Sequence, residues 1–355
     1  MAGVVSSAGV ANADPGSLPG GWEHASRSGR SDGGLVGSPG GGEHLGGLTF
    51  DQLVSSDGYV WWYIDAVSED ESHGVTVIAF IGSVFSPYYA WARRRGRSSP
   101  LDHNAMNVAL YGPRGKRWAM TERPRQSLRR DRSSLAIGPS VMSWDGNVLK
   151  VEIDEVAAPF PNRICGTVRL FPAYLGGEQI ALDRNGDHRW RPLAPCSRVE
   201  VDLEHPAIHW SGQGYLDSNH GVAPLEDTFA GWNWSRAKID RETVVTYDVD
   251  CRQDDDRSIA MRFAPSGRME TFEPPPRRRL PATVWRLSRE TRADADYVPR
   301  VRRTLEDSPF YSRSLLTTRL LGIEGAAIHE SLSLDRFRSG FVKAMLPFRM
   351  PRWPL

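Results

Sequence analysis

Two short patterns carry the side chains best suited to proton-transfer chemistry: His188-Arg189-Trp190 and Tyr215-Leu216-Asp217. In an extended chain, residues two apart point the same way, so His188 can share a surface with Trp190, and Tyr215 with Asp217. Such a surface offers an acid, a base and aromatic faces. A packing reading fits the same letters. Trp190, Trp232 and Trp234 would be core, Tyr215 a corner residue, and Asp217 would order the loop holding Asn219 and Gly221. The pattern alone leaves both readings open.

Other chemistries lack their signatures. There is no P-loop, no H-E-x-x-H and no dinucleotide G-x-G-x-x-G opening a helix, which argues against ATP and NAD. His205 and His209 are four apart and would share a face. Pro206 interrupts any helix there and no third ligand stands at a telling distance, so they read as a surface or hydrogen-bonded pair, and no metal is expected.

The elements that must position these side chains are strands. From Leu48 onward, short apolar or alternating runs are cut by Gly, Pro, Asn and Asp. The predicted strands are Tyr59 to Ala66, Gly74 to Ile81, Asn104 to Tyr111, Val148 to Glu155, Cys165 to Phe171, Ser197 to Leu203, Thr243 to Val249 and Ala282 to Leu287. Asp145-Gly146-Asn147 reads as a hairpin turn, since these residues tolerate positive φ. The regular spacing predicts an all-β protein built from antiparallel sandwiches or barrels. A boundary near Arg191-Pro192-Leu193-Ala194-Pro195 divides the ordered part into residues 48–195 and 196–355, and Pro274 to Arg279 reads as a loop in the second half.

Composition agrees. The 355 residues include 34 Gly, 25 Pro, 12 Trp and 10 Tyr, a turn-rich aromatic content that disfavours a helical bundle. Fourteen of the glycines fall in residues 1–47, which read as a disordered Gly/Ser-rich leader. Ala11-Asn12-Ala13 imitates a cleavage site, but no Lys or Arg precedes Arg27, so no signal peptide is expected. Cys165, Cys196 and Cys251 are widely spaced and odd in number, which suits a reducing cytoplasm. No run approaches the roughly 18 apolar residues of a membrane span. The formal net charge of +1 gives no overall field for nucleic acid, although 16 basic against 8 acidic residues lie from Pro274 onward.

Three longer stretches add a family expectation: Tyr59-Val60-Trp61-Trp62-Tyr63, Asp102-His103-Asn104-Ala105-Met106-Asn107-Val108, and Gly212 through Gly221 with its Tyr215-Leu216-Asp217. Between about Tyr59 and Trp234 the chain resembles the carotenoid 1,2-hydratases, also called hydroxyneurosporene synthases, whose His-x-Trp and Tyr-x-Asp patterns match His188-Arg189-Trp190 and Tyr215-Leu216-Asp217. The resemblance implies two tandem lipocalin-like antiparallel β-barrels with a site near their junction. It also implies cofactor-independent addition of water to the C1–C2 double bond at the acyclic end of neurosporene or lycopene.

Protonating such an alkene at C2 leaves a tertiary cation at C1, which calls for a neutral acid in an apolar pocket. Asp217 is then the expected acid, Trp190 and Tyr215 the aromatic faces for the cation, and His188 the base for the attacking water. Trp61, Trp62, Asp102, His220, Trp232 and Trp234 are expected around the substrate, with barrel packing and turn hydrogen bonds as the alternatives. A polyene carrier without chemistry and a same-fold cyclase are the competing functions. An insoluble substrate implies peripheral contact with a membrane from the cytoplasmic side, while oligomeric state is not legible. Phe341 to Leu355 mixes bulky apolar residues with cations and reads either as an interfacial anchor or as an arm closing a barrel.

Overall fold

Burial alternates along the strand Leu149–Val156, where Leu149, Val151, Ile153 and Glu155 are buried and the residues between them are not. That is the pattern of a sheet with one covered face. The strand Tyr59–Ser68 breaks the rule, because nearly every residue in it is buried. Its even members Val60, Trp62 and Ile64 join one core, while Tyr59, Trp61 and Tyr63 join another, so this strand separates two packed layers.

The computed structural model describes residues 47–352. The first sheet contains β1 (Tyr59–Ser68), β2 (Gly74–Ile81), β3 (Asn104–Gly112), β4 (Gly115–Arg123), β5 (Leu128–Arg130), β6 (Ser134–Ile137), β7 (Ser140–Trp144), β8 (Leu149–Val156), β9 (Arg163–Pro172), β10 (Ile180–Ala181), β11 (His188–His205) and β12 (Ile208–Gly221). They pair antiparallel in the order β4-β3-β2-β1-β12-β11-β9-β8-β7-β6-β5, with β10 on β11. The sheet curls into a nearly closed barrel in which β4 meets β8, around a core that includes Trp62, Val77, Val108, Val151 and Leu216.

The second sheet contains β13 (Phe229–Ile239), β14 (Glu242–Cys251), β15 (Arg257–Phe263), β16 (Met269–Thr271), β19 (Arg300–Asp307), β20 (Tyr311–Leu320) and β21 (Ile323–Ser333), in the order β16-β15-β14-β13-β21-β20-β19. A separate ribbon pairs β17 (Arg277–Arg279) with β18 (Glu290–Arg292). Four α-helices, α1 (Pro87–Arg94), α2 (Leu225–Thr228), α3 (Leu334–Phe337) and α4 (Gly340–Arg349), and two 3-10 turns, Pro100–Asp102 and Arg125–Ser127, complete the elements among the described residues. The shared core between the two sheets holds Trp61, Tyr63, Trp190, Tyr215, Trp234 and Tyr247, joined by Phe337, Val342 and Leu346 from the last two helices.

Six of the eight predicted strands coincide with or fall within observed ones and a seventh, Val148 to Glu155, is offset from β8 by one residue; the Asp145 hairpin joins β7 to β8 with Gly146 at φ +103° and Asp145 Oδ1 accepting from the Asn147 and Val148 amides. Three expectations need correction. Ala282 to Leu287 is not a strand: it turns at Val284 and Trp285, whose side chains are exposed rather than paired into a sheet. Arg277–Arg279, expected in a loop, forms the β17 ribbon. Arg191–Pro195 does not separate the halves but lies inside β11, and the chain passes from the first sheet to the second between Gly221 and Phe229. The prolines that suggested a linker sit where β11 bulges against β12, between Pro192 and Ala194 and between Ala194 and Ser197. At a bulge a missing N–H interrupts nothing. The expected leader lies outside the described residues apart from Gly47, and Trp353 to Leu355 also lie outside them.

Candidate active site

Strand register gathers the site. In the β1–β12 ladder Tyr63 stands opposite Asp217, Trp61 opposite Asn219 and Asp65 opposite Tyr215. In the β11–β12 ladder Trp190 faces Asn219 and His188 faces Gly221. Period-two alternation therefore puts Tyr59, Trp61, Tyr63, Asp65, His188, Trp190, Tyr215 and Asp217 on the face turned toward the second sheet. Gly221 allows the close fit at one end, since a Cβ there would lie 2.5 Å from His188 Nδ1 and 2.6 Å from the Tyr59 ring.

Asp217 is buried with an unusual division of labour between its oxygens. Oδ2 accepts from Trp190 Nε1 at 2.8 Å and from the Tyr215 hydroxyl at 2.9 Å. Oδ1 is buried without a hydrogen-bond partner. Burial pushes the carboxyl up to about 7, the two donors pull against that rise, and the negative charges of Glu330 and Asp65 add to it. The acid is thus substantially protonated near neutrality, and with Oδ2 already accepting twice the proton belongs on Oδ1.

Asp217 lines a cavity of about 340 Å³ between the sheets. Its aromatic walls include Trp61 and Tyr63 from β1, Trp232 and Trp234 from β13, and Tyr247 from β14; α4 contributes Val342, Met345 and Leu346. Apolar walls with a few polar groups suit a hydrocarbon ligand that must be oriented by little besides shape.

The other expected site residues fall in several places. Trp190 and Tyr215 are fully buried behind Asp217 and spend their polar atoms on it, so neither is a wall of the cavity. His188 is also buried off the cavity: Nδ1 bonds the Tyr59 hydroxyl at 3.0 Å and Nε2 the Thr228 hydroxyl at 3.0 Å, and burial lowers its pKa. Trp62 points into the first barrel against Phe50, with ring centroids 5.1 Å apart. His220 lies three residues beyond Asp217 on β12, an odd separation, and so faces away from it. Asp102 lies in a 3-10 turn, where Arg125 Nε donates to it at 2.8 Å. His205 and His209 are exposed, and His209 bonds Asp202 at 2.7 Å.

The chain as a whole has relatives among known proteins. The family model for carotenoid hydratase CrtC matches residues 77–354. The acyclic carotenoid 1,2-hydratase of Thiocapsa roseopersicina is 53% identical over 353 residues, covering 99% of this chain and 87% of the relative. This chain belongs to the carotenoid hydratase CrtC family. The acyclic carotenoid 1,2-hydratase of Rubrivivax gelatinosus is 51% identical over 310 residues, covering 86% of this chain and 76% of that protein. Family membership makes the chain an enzyme of the hydro-lyase class. A crystal structure described as an AttH from Nitrosomonas europaea aligns with a TM-score of 0.55 at 14% identity, over 77% of this chain and 91% of that one, which fits a lipocalin-like fold.

In this CrtC-family chain, sequence reasoning overlooked several cavity residues. Tyr63 belonged to a quoted motif and shares the phase of Trp61, so alternation could have found it. Asn107 also stood in one of those motifs, on β3 of the same sheet, whereas Tyr247 and Glu330 carried no such signal, because they reach the cavity from the second sheet. Arg313 did leave a trace, as a charge inside the otherwise buried run of β20, but nothing in the sequence names its partners.

Proposed function

We propose that the enzyme adds water across the C1–C2 double bond at the acyclic end of a carotenoid such as neurosporene or lycopene, with Asp217 as the acid. The observation that carries this reading is the unpartnered Oδ1 of a buried carboxyl, in a cavity with aromatic walls. The names of the CrtC-family relatives supply the substrate class. Asp217 gives its Oδ1 proton to C2, and a tertiary cation forms at C1. Trp190 and Tyr215 stabilise the carboxylate left behind through their bonds to Oδ2. Trp61, Tyr63, Trp232 and Trp234 offer π-faces to the cation, each good contact contributing about 2 kcal/mol when desolvated. Water then bonds C1, giving the tertiary alcohol. The reaction is redox-neutral and this route asks for no cofactor.

His188 takes a positioning part in this scheme. Its ring holds Tyr59, which stacks on Trp61 at 4.9 Å, so the imidazole sets a cavity wall from behind. The deciding experiment is anaerobic incubation of the protein with lycopene or neurosporene in liposomes, without added cofactor, and mass analysis. Gain of one water supports the reading; polyene that binds unchanged favours the carrier.

Delivery of so insoluble a substrate asks for contact with a bilayer surface. Support comes from α4, which turns Val342 and Leu346 inward while Phe341 and Phe348 are 60% and 76% exposed, and from α1 beside it, with exposed Trp91 followed by exposed Arg94, Arg95 and Arg97. Among the described residues no helix is long and apolar enough to cross a membrane. Flotation with anionic liposomes tests this part: paired Phe341→Ser and Phe348→Ser substitutions are expected to weaken binding, and unchanged flotation overturns it.

A further inference from the structure

The hydration scheme leaves one requirement without a residue, a group that holds the water and takes its proton. The wall contributed by the second sheet carries a carboxylate with no part so far. Glu330 lies on β21, opposite Trp234 on β13 and Arg313 on β20. Its Oε1 accepts from the Tyr63 hydroxyl at 2.8 Å and pairs with Arg313. Arg313 also donates to the Tyr63 oxygen at 2.7 Å and pairs with Asp65, whose other oxygen accepts from Arg236 at 2.7 Å. Two carboxylates and two guanidiniums thus form one network joining the sheets.

Within that network the members differ in what they face. The Arg313 and Asp65 side chains are 1% and 0% exposed, whereas Glu330 retains 11% and lines the cavity together with Tyr63 and Asp217. A network that served only to join the sheets would gain nothing from opening a carboxylate onto an apolar cavity, where desolvation is costly. Position adds to the argument. Tyr63 stands directly opposite Asp217 in the β1–β12 ladder while its hydroxyl reaches Glu330, so one side chain spans from the strand pair of the acid to the second carboxylate. Two donors on Oε1 fix the carboxylate's orientation, and a fixed acceptor is what a lone water in an apolar cavity needs to be held.

We propose that Glu330, fixed by Tyr63 and Arg313, is a second catalytic carboxylate that holds the attacking water and accepts its proton. The inference rests on the hydration reading above. Asp217 loses its proton to C2 as the alkene π-pair forms the C–H bond. A lone pair on the water oxygen then forms the C1–O bond, and the O–H electrons stay on oxygen as the proton moves to Glu330. When product leaves, water admitted to the cavity carries that proton from Glu330 back to Asp217, and the pair is reset.

The test separates cation formation from cation capture. In D2O, an enzyme that protonates C2 but captures the cation poorly returns it to alkene with deuterium at C2. In the parent, hydration is expected to outrun this exchange. In Glu330→Gln, hydration is expected to fall about 10²-fold or more, with exchange then outrunning hydration. Tyr63→Phe keeps the ion pairs of the network and removes only the hydroxyl that donates to Glu330 and accepts from Arg313, so it guards against a folding defect in the first variant. Its exchange-to-hydration ratio is expected to rise about 10-fold. Hydration within about 3-fold of the parent in Glu330→Gln, or a parental ratio in Tyr63→Phe, overturns the proposal. A parent that neither hydrates nor exchanges refutes the hydration reading itself, whereas an active parent silenced by Asp217→Asn, with both other variants behaving as the parent, removes only Glu330's part.

Discussion

Asp65 and Asp217 lie on one face of the same strand ladder, Asp217 opposite Tyr63 and Asp65 two residues further along β1, and both are buried, at 0% and 4% exposure. Their surroundings have opposite consequences. Asp65 is enclosed by two guanidiniums, Arg236 and Arg313, so its charge is matched where it stands. Asp217 receives only neutral donors, an indole and a phenol, both on one oxygen. Burial with cations makes a tie between sheets; burial without them, and with one oxygen left free, makes an acid that holds its proton to about pH 7.

The sharpest way to break this comparison is Asp217→Asn, which keeps the shape and removes the transferable proton. Turnover is expected to fall about 10³-fold, measured as hydrated product per enzyme. Near-parental turnover would return Asp217 to the same structural class as Asp65.

The same substitution sharpens the contrast through stability. Folding raises the Asp217 pKa from 3.8 to about 7, so the native state holds this proton more tightly than the unfolded chain. That contribution is fully present below pH 3.8 and is lost as pH rises through about 7. Asp217→Asn does not titrate, and is expected to exceed the parent at pH 8 by up to about 4 kcal/mol, with the gap closing toward pH 4. Denaturant titrations at the two pH values check it, and a gap that widens on acidification would contradict it.

Removing one of Asp65's cations tests the other half. Arg236→Met leaves part of a buried charge unmatched and is expected to destabilise the fold by about 3 kcal/mol at pH 7, read by urea unfolding. A smaller effect is expected at the acid's own support. Trp190→Phe deletes one donor to the Asp217 carboxylate, which weakens the acid. Activity should fall about 10-fold, and the descending limb of the pH profile should move to higher pH. Movement to lower pH would mean that Trp190 does not act through that bond. Least of all is expected from Asp102→Asn at the outlying Arg125 pair, where turnover should stay within about twofold of the parent.

The fold was largely legible because strand texture is local. Alternation, turn residues and β-branched or aromatic runs are written within ten residues of each other, as in Gly74–Ile81 and the Asp145 hairpin. The failures came where a local signal had a non-local resolution. Prolines in Arg191–Pro195 imitated a linker because a bulge tolerates them, and the apolar letters of Ala282 to Leu287 never found a neighbouring strand.

For the site, the sequence by itself determined the identities and phase of the face that β1, β11 and β12 turn toward the second sheet: Trp190 with His188, Tyr215 with Asp217, and Trp61 with Tyr63, because period two is a property of any strand. Only the tertiary structure decided what each does. It placed His188 between two hydroxyls behind the wall, and brought Glu330 and Arg313 from about 250 residues away in the chain to meet Tyr63. A side chain's direction is set by its own strand, but its proton affinity and its access to a ligand are set by what packs against it, and here that is a second sheet whose approach no local pattern encodes.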